Sequence, residues 1–185
     1  MEEQGEFAAL GMDVGYVYGG PAILDDIDER ALRDEDPDGG GSDPRFENSE
    51  APGPLIFIPG TRPGQRMPHI WLEQGGRRLS TYDIGGRGRF ILISDDAAGI
   101  WESAAAHAGT ACSVPVDLVL IGEGPGRWRN DDRTWFRQRF VSAEGAVLVR
   151  PDGHIGWRSA DVPEEPGATL TAALRSILQT QRQCQ

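Results

Sequence analysis

Two short, unbroken apolar runs separated by one helix-length amphipathic stretch restrict this chain more than any other feature. Arg89-Phe90-Ile91-Leu92-Ile93-Ser94 sets four apolar residues in succession between turn-like flanks, the pattern of a strand buried on both faces. About Ala97–Ala108 reads as a helix with Ile100, Trp101, Ala104, Ala105 and Ala108 on one face. The Asp95–Asp96 pair ahead of it is placed to cap its N-terminus. Val116–Ile121 is a second buried strand, so strand, helix and strand form a βαβ unit with parallel neighbours. Further on, Ala146–Arg150 and His154–Arg158 flank Pro151-Asp152-Gly153, a signal for a tight hairpin. A closing helix of about Ala168–Leu178 carries a Leu170, Leu174, Ile177 and Leu178 stripe.

From residue 89 the order is β-α-β, an irregular link, then β-β-α, which predicts an α/β, thioredoxin-like fold. The usual chemistry of that fold needs a low-pKa thiolate at the N-terminus of the helix after the first core strand. That place reads Ser94-Asp95-Asp96-Ala97, and no C-x-x-C exists. Cys112 falls after the expected helix and Cys184 near the C-terminus, so two free thiols are expected, without dithiol or peroxidase activity.

Charge divides the chain. Fifteen of the 29 acids fall in residues 1–54 against three arginines, a local charge of −12 that leaves the remainder at +1. Residues 1–24 read as a lead-in segment with a helix-like start (Phe7, Leu10) and an apolar strand around Tyr16–Tyr18 and Ala22–Leu24. Residues 25–54, rich in acids, Gly and Pro, read as a mobile acidic loop. Order should resume at Leu55–Ile58, so that 55–185 forms the thioredoxin-like domain. The acidic balance argues against general affinity for nucleic acid phosphates. No apolar run approaches the roughly 20 residues that span a bilayer, and Met1–Phe7 is no secretory signal, so neither membrane nor export is expected and the default location is cytoplasmic.

Other patterns are weaker. Gly122-Glu123-Gly124-Pro125-Gly126 follows a strand but is continued by Arg127 where a dinucleotide loop needs Gly, and Gly85-Gly86-Arg87-Gly88 precedes a strand; both read as turns. Asp34, Asp36, Asp38 and Gly39 imitate half of a calcium loop, but its twelfth position is Arg45. Arg127–Phe140 mixes five arginines with aromatics; Trp128, Trp135, Phe136 and Phe140 are read as packing beneath a long link rather than as a nucleic acid platform. His69, His107 and His154 lack metal-ligand spacing; His107 is placed near a helix end and His154 after the hairpin turn.

Three stretches taken together resemble one family. These are Pro59-Gly60-Thr61-Arg62 through Pro68-His69-Ile70-Trp71-Leu72, Ser80-Thr81-Tyr82-Asp83-Ile84 leading into Gly88-Arg89-Phe90-Ile91-Leu92, and Ala146–Arg158 with its Val149-Arg150-Pro151-Asp152-Gly153 centre. Leu10-Gly11 and Gly15-Tyr16-Val17-Tyr18 fit the segment that precedes them. The set resembles the C-terminal portion of FAD-dependent aromatic-ring hydroxylases of the phenol and 2,4-dichlorophenol monooxygenase type. In such enzymes NADPH reduces the FAD, oxygen adds to it, and a phenol-like ring is hydroxylated, the cofactor carrying the chemistry.

The flavin and NADPH motifs of that family are absent here, so the resemblance transfers no catalytic, cofactor-binding or metal residue. It implies a non-catalytic, thioredoxin-like portion that supports domain packing or dimerisation, with the flavin and substrate domain as partner and a homodimer as a second arrangement. Arg62, Pro68, His69 and Trp71 are candidates for docking to the flavin domain. Equally open is that Pro59–Leu72 only caps this domain's own core. A different class of reading is a free-standing thioredoxin-like binding or assembly protein without redox activity. An independent small enzyme ranks last for want of a nucleophile, metal cluster or cofactor loop.

Overall fold

The computed structural model describes residues 59–85, 88–95 and 98–183. The expectations for the lead-in segment, the acidic loop with its calcium-like aspartates, Leu55–Ile58, Gly86-Arg87, Asp96-Ala97 and Cys184 all lie outside the described residues.

The two apolar runs become the adjoining parallel strands β3 (Phe90–Ser94) and β4 (Val116–Leu120), paired Phe90 to Val116 through Ser94 to Leu120. Before them stand a hairpin, β1 (Trp71–Gln74) with β2 (Arg77–Ser80), and a single helical turn, α1 (Thr81–Ile84). Between β3 and β4 runs α2 (Ile100–Cys112), and after β4 a link contains α3 (Thr134–Gln138). The chain ends in β5 (Ala146–Val149), β6 (Ile155–Ser159) and α4 (Pro166–Gln183). The main sheet has the order β4-β3-β5-β6, with β5 antiparallel to both β3 and β6. The fold is therefore mixed α/β around a four-stranded mixed sheet.

Side chains alternate across a strand, so β3 feeds two cores. Phe90 and Leu92, with Ala146, Leu148 and Trp157, face Trp101, Ala104, Ala105 and Ala108 of α2 and Leu170, Ala173, Leu174 and Ile177 of α4. Ile91 and Ile93, with Val119, Val147, Val149 and Ile155, face Met67, Ile70, Leu72, Trp135 and Val141. Both long helices thus cover one face, while the Pro59–Leu72 segment, the hairpin and the link cover the other. This double coverage is why β3 reads as continuously apolar rather than alternating.

The sheet edges are closed by irregular chain. Trp128 and Leu120 pair through N–H to carbonyl at 2.8 Å, returning the link along β4. At the other edge the Gly64 N–H donates to the Ile155 carbonyl and the Ile155 N–H to that of Gln65, each at 2.8 Å. Paired edges of this kind leave less backbone free to recruit another chain.

Several boundaries differ from expectation. The helix α2 starts at Ile100, because its N-cap residue Gly99 stands at φ 75 in the left-handed region. Asp95 is not its cap but turns toward the link, and Ile100 is 37% exposed rather than on the buried face. The helix runs on to Cys112 and closes on Ser113, where the Val114 N–H reaches the Gly109 carbonyl at 3.0 Å. His107 is consequently inside the helix, exposed and beside Gly167 of α4, not near the end. Cys112 is its last residue, with Sγ 3.8 Å from the Thr171 carbonyl. The last helix begins at Pro166, whose missing N–H costs nothing in a first turn.

The β1–β2 hairpin was not anticipated. Its loop is Gly75-Gly76, with φ of 58 and 78, as a two-residue hairpin turn of the twist-compatible kind requires. The expected Pro151-Asp152-Gly153 turn is present: the Arg150 N–H donates to the His154 carbonyl at 2.7 Å and Gly153 adopts φ 82.

Gly145, just ahead of β5, is required for space rather than for its φ. A Cβ there would lie 2.5 Å from the Ser159 carbonyl oxygen, closer still to that of Ala160, and 2.9 Å from Val141 Cβ. Two of those neighbours are backbone and have no rotamer to change. Gly145→Ala is expected to lower the unfolding free energy by about 1–3 kcal/mol, as overpacking does. Urea titration against the parent chain reads it, and an unchanged midpoint would contradict the packing at the β5–β6 start.

Candidate docking face and buried ion pair

The Pro59–Leu72 segment alternates inward and outward. Met67, Ile70 and Leu72 are almost wholly buried and reach the sheet, which forces His69 and Trp71 outward. Thr81, buried in the first turn of α1, fixes that phase. Its Oγ1 donates to the Pro68 carbonyl at 2.7 Å and accepts from the Ile70 N–H at 3.1 Å, while its own N–H donates to the Ile70 carbonyl at 2.9 Å. Ser80 and Asp83 form a reciprocal capping box that holds the α1 turn itself. From the link, Asn130 Nδ2 donates to the Trp71 carbonyl at 3.0 Å.

The outward side chains form a continuous ladder. The His69 ring meets Trp71 edge-on at 5.0 Å between centroids and Tyr82 at 5.4 Å. The Arg66 guanidinium lies over Tyr82 at 4.9 Å and that of Arg78 over Trp71 at 4.6 Å. Trp71 is 42% and Tyr82 43% exposed, so two large aromatic surfaces and two cations are presented together to solvent. Of the four docking candidates, His69 and Trp71 come together here. Arg62 is exposed, with its backbone N–H donating to Gln65 Oε1 at 3.2 Å, and Pro68 is buried, so it positions the ladder from beneath.

A second cluster had no counterpart in the sequence reading. The Asp95 carboxylate, at the C-terminal end of β3, accepts from Trp135 Nε1 and pairs with Arg139 Nη1. Both charged side chains are under a tenth exposed. Arg139 Nε donates to the Val141 carbonyl at 2.7 Å, and its own carbonyl accepts from Thr61 Oγ1, which also lies 3.4 Å from Arg158 Nη1. The network joins the Pro59–Leu72 segment, β3, the link and β6. Burial pushes the Asp95 carboxyl up to about 6, against the opposing pull of the Arg139 charge and the Trp135 hydrogen bond.

The same contacts dispose of two other motifs. Trp135 is fully buried, and Trp128 and Phe136 pack partly buried against the second core, with Arg133 and Arg139 over the Phe136 ring. The aromatics of the link serve packing. In the Gly122–Gly126 loop, a Cβ on Gly122 or Gly124 would come within 3.7 and 3.6 Å of the Arg127 side chain, whose Nη1 donates to the Asp95 carbonyl at 3.0 Å. The loop leads to a bridge between Trp128 and Ile121 rather than into a helix, so it lacks the helix N-terminus that holds a pyrophosphate in a dinucleotide loop. This loop does not fit that group. Among the described residues no helix is long and apolar enough to cross a membrane.

Known proteins share this sequence and fold. A family model described as the C-terminal part of aromatic-ring hydroxylases matches residues 60–180. The chain is 35% identical to 2,4-dichlorophenol 6-monooxygenase of Delftia acidovorans over 93% of its own length and 26% of that enzyme. It is 33% identical to phenol 2-monooxygenase of a Pseudomonas strain, over 89% and 24%. Among solved structures, the flavin-dependent monooxygenase PieE, in complex with FAD and substrate, superposes with a TM-score of 0.71 at 36% identity, covering 93% of this chain and 27% of that one. The chain thus spans about a quarter of the length of the relatives it matches. On this match of sequence and structure, it belongs to the aromatic-ring hydroxylase C-terminal family.

Proposed function

We propose that this chain is the non-catalytic, thioredoxin-like C-terminal portion of a cytoplasmic FAD- and NADPH-dependent phenol-type monooxygenase, and that it fastens to the part of the polypeptide preceding it. The thioredoxin-like reading is supported by the strand order β4-β3-β5-β6, the β3-α2-β4 crossover, and α2 and α4 sharing one face. A structural rather than redox role is supported by Cys112 standing at the last residue of α2, away from the helix start where a thiolate is stabilised. Hydroxylation of an aromatic ring, with the flavin supplying the chemistry when bound, would belong to the preceding portion. The observation that carries the docking role is the exposed ladder of His69, Trp71, Tyr82, Arg66 and Arg78, since aromatic and arginine side chains dominate interface energetics. Self-association as a homodimer is a further part of the proposal.

A chimera tests it. The C-terminal quarter of the Delftia dichlorophenol monooxygenase is replaced by this chain, and bound FAD and NADPH-dependent dichlorophenol turnover are measured. The chimera is expected to keep its flavin, and His69→Ala with Trp71→Ala to weaken flavin retention on gel filtration by about tenfold, the scale of a single interface anchor. Unchanged retention and turnover in the double variant would sink the docking role.

A further inference from the structure

We infer that the buried Asp95 carboxylate is a positioning residue for the exposed ladder, setting through the link where Trp71 stands. This rests on the docking reading and says what inside the protein tunes that face. The two carboxylate oxygens hold one side chain each: Oδ1 accepts from Trp135 Nε1 and Oδ2 pairs with Arg139 Nη1. Trp135 and Arg139 lie one helical turn apart, and the Arg139 N–H donates to the Trp135 carbonyl at 2.9 Å. The turn between them has little hold on itself. The helix α3 is five residues long, its N-cap residue Arg133 stands at φ 54, and Phe140 beyond it at φ 48. A helix that short is not stable alone, so contacts to the rest of the protein place it.

From this clamp, two arms reach both ends of the Pro59–Leu72 segment. The Trp135 N–H donates to Asn130 Oδ1 at 2.7 Å, and Asn130 Nδ2 donates to the Trp71 carbonyl at 3.0 Å. One buried, planar amide thus spans from Trp135 to Trp71. In the other direction the Arg139 carbonyl accepts from Thr61 Oγ1. The link also borders β1 as a further strand would. The Glu73 N–H donates to the Arg129 carbonyl at 2.9 Å and the Arg129 N–H to the Glu73 carbonyl at 2.8 Å, and their side chains form an ion pair at 3.3 Å. The strand that begins at Trp71 is therefore held by β2 on one side and by the link on the other. Removing the charge at Asp95 weakens the contact to Arg139, and a close-packed interior passes the resulting shift on to the link and β1. Trp71 meets both the His69 ring and the Arg78 guanidinium, so its displacement alters the ladder as a whole.

The test uses the full 185-residue chain, isotope-labelled for magnetic resonance. The Trp71 indole N–H signal is assigned by its loss in Trp71→Phe. Asp95→Asn keeps an acceptor for Trp135 and drops the charge facing Arg139. It is expected to move the Trp71 signal while circular dichroism shows the fold retained. In an Asn130→Ala background, where the arm to Trp71 is already cut, the same substitution should move it much less. Trp135→Phe keeps a buried ring and loses the donor; it serves if Asp95→Asn does not fold, and should move the signal as well. A Trp71 signal unmoved in the folded variants overturns the inference. In the chimera above, Asp95→Asn should weaken flavin retention about two- to thirtyfold, the range of coupling carried through contacts of this kind. It should add nothing on top of His69→Ala with Trp71→Ala. Retention that ignores Asp95→Asn yet responds to that pair overturns the positioning role. Retention that ignores both strikes the docking reading instead, and the indole signal alone then decides the coupling.

Discussion

Asp95→Ala is expected to lower the unfolding free energy by about 3–5 kcal/mol at pH 7, the cost of removing one partner from a buried ion pair. The loss comes less from the attraction that disappears than from keeping the Arg139 guanidinium buried once the Asp95 carboxylate is gone. Removing both partners together, as Asp95→Ala with Arg139→Met, should therefore recover much of the loss, and a double-mutant cycle in urea measures the coupling. Loss of less than about 1 kcal/mol in the single variant would mean that the pair does not anchor the link.

The same residue gives a pH signature. Its carboxyl rises from 3.8 to about 6 in the folded chain, chiefly through burial, with Arg139, Trp135 and Arg127 opposing. The folded state thus holds the proton more tightly than the unfolded state. The Asp95 contribution to stability is greatest below about pH 4 and is lost as pH rises through about 6, a change of order 3 kcal/mol. Asp95→Asn keeps an acceptor for Trp135 but cannot titrate. The stability difference between parent and this variant should therefore shift in the parent's favour as pH falls from 7 to 4. A difference that stays flat across that window would show that burial does not govern this carboxyl.

Trp101→Ala is expected to cost about 3–5 kcal/mol, as deletion of a fully buried aromatic does. Its ring is wholly enclosed between α2 and the sheet, meets Trp157 edge-on at 6.1 Å, and donates through Nε1 to the Glu144 carbonyl at 2.7 Å. Nothing on this face can collapse into the gap cheaply, because Ala104, Ala105 and Ala108 are already small and Leu170 and Leu174 belong to a separate helix. Trp101→Phe keeps most of the packing and loses the donor, and should cost about 1–2 kcal/mol. Thermal melts and urea titrations separate the two, and equal costs for both variants would mean that the hydrogen bond, not the ring, carries the energy.

The sequence was most informative where local pattern and burial coincide. Phe90–Ile93 announced a doubly covered strand because both of its faces are apolar, and Leu170, Leu174 and Ile177 announced a helix stripe for the same reason. Pro151-Asp152-Gly153 specified its turn through backbone preferences alone. The Gly75-Gly76 hairpin was legible by the same rule, yet its strands are only four residues each and half exposed, leaving little alternation to read. The family resemblance rested on ordered short motifs, and the match over residues 60–180 agrees with it.

What the sequence determined by itself, then, is the β3-α2-β4 and β5-β6-α4 order, the two-faced burial of β3 and the acidic character of the leading segment, all set by neighbours within a turn or a strand. Tertiary structure alone decided that Asp95 pairs with Arg139 across 44 positions instead of capping α2, and that Arg66, Tyr82, His69, Trp71 and Arg78 form one ladder. Those arrangements depend on the link folding back over β3 and on Thr81 fixing the phase of the Pro59–Leu72 segment. Contacts between residues far apart in the chain exist only once the sheet has brought them together, and no local spacing encodes them.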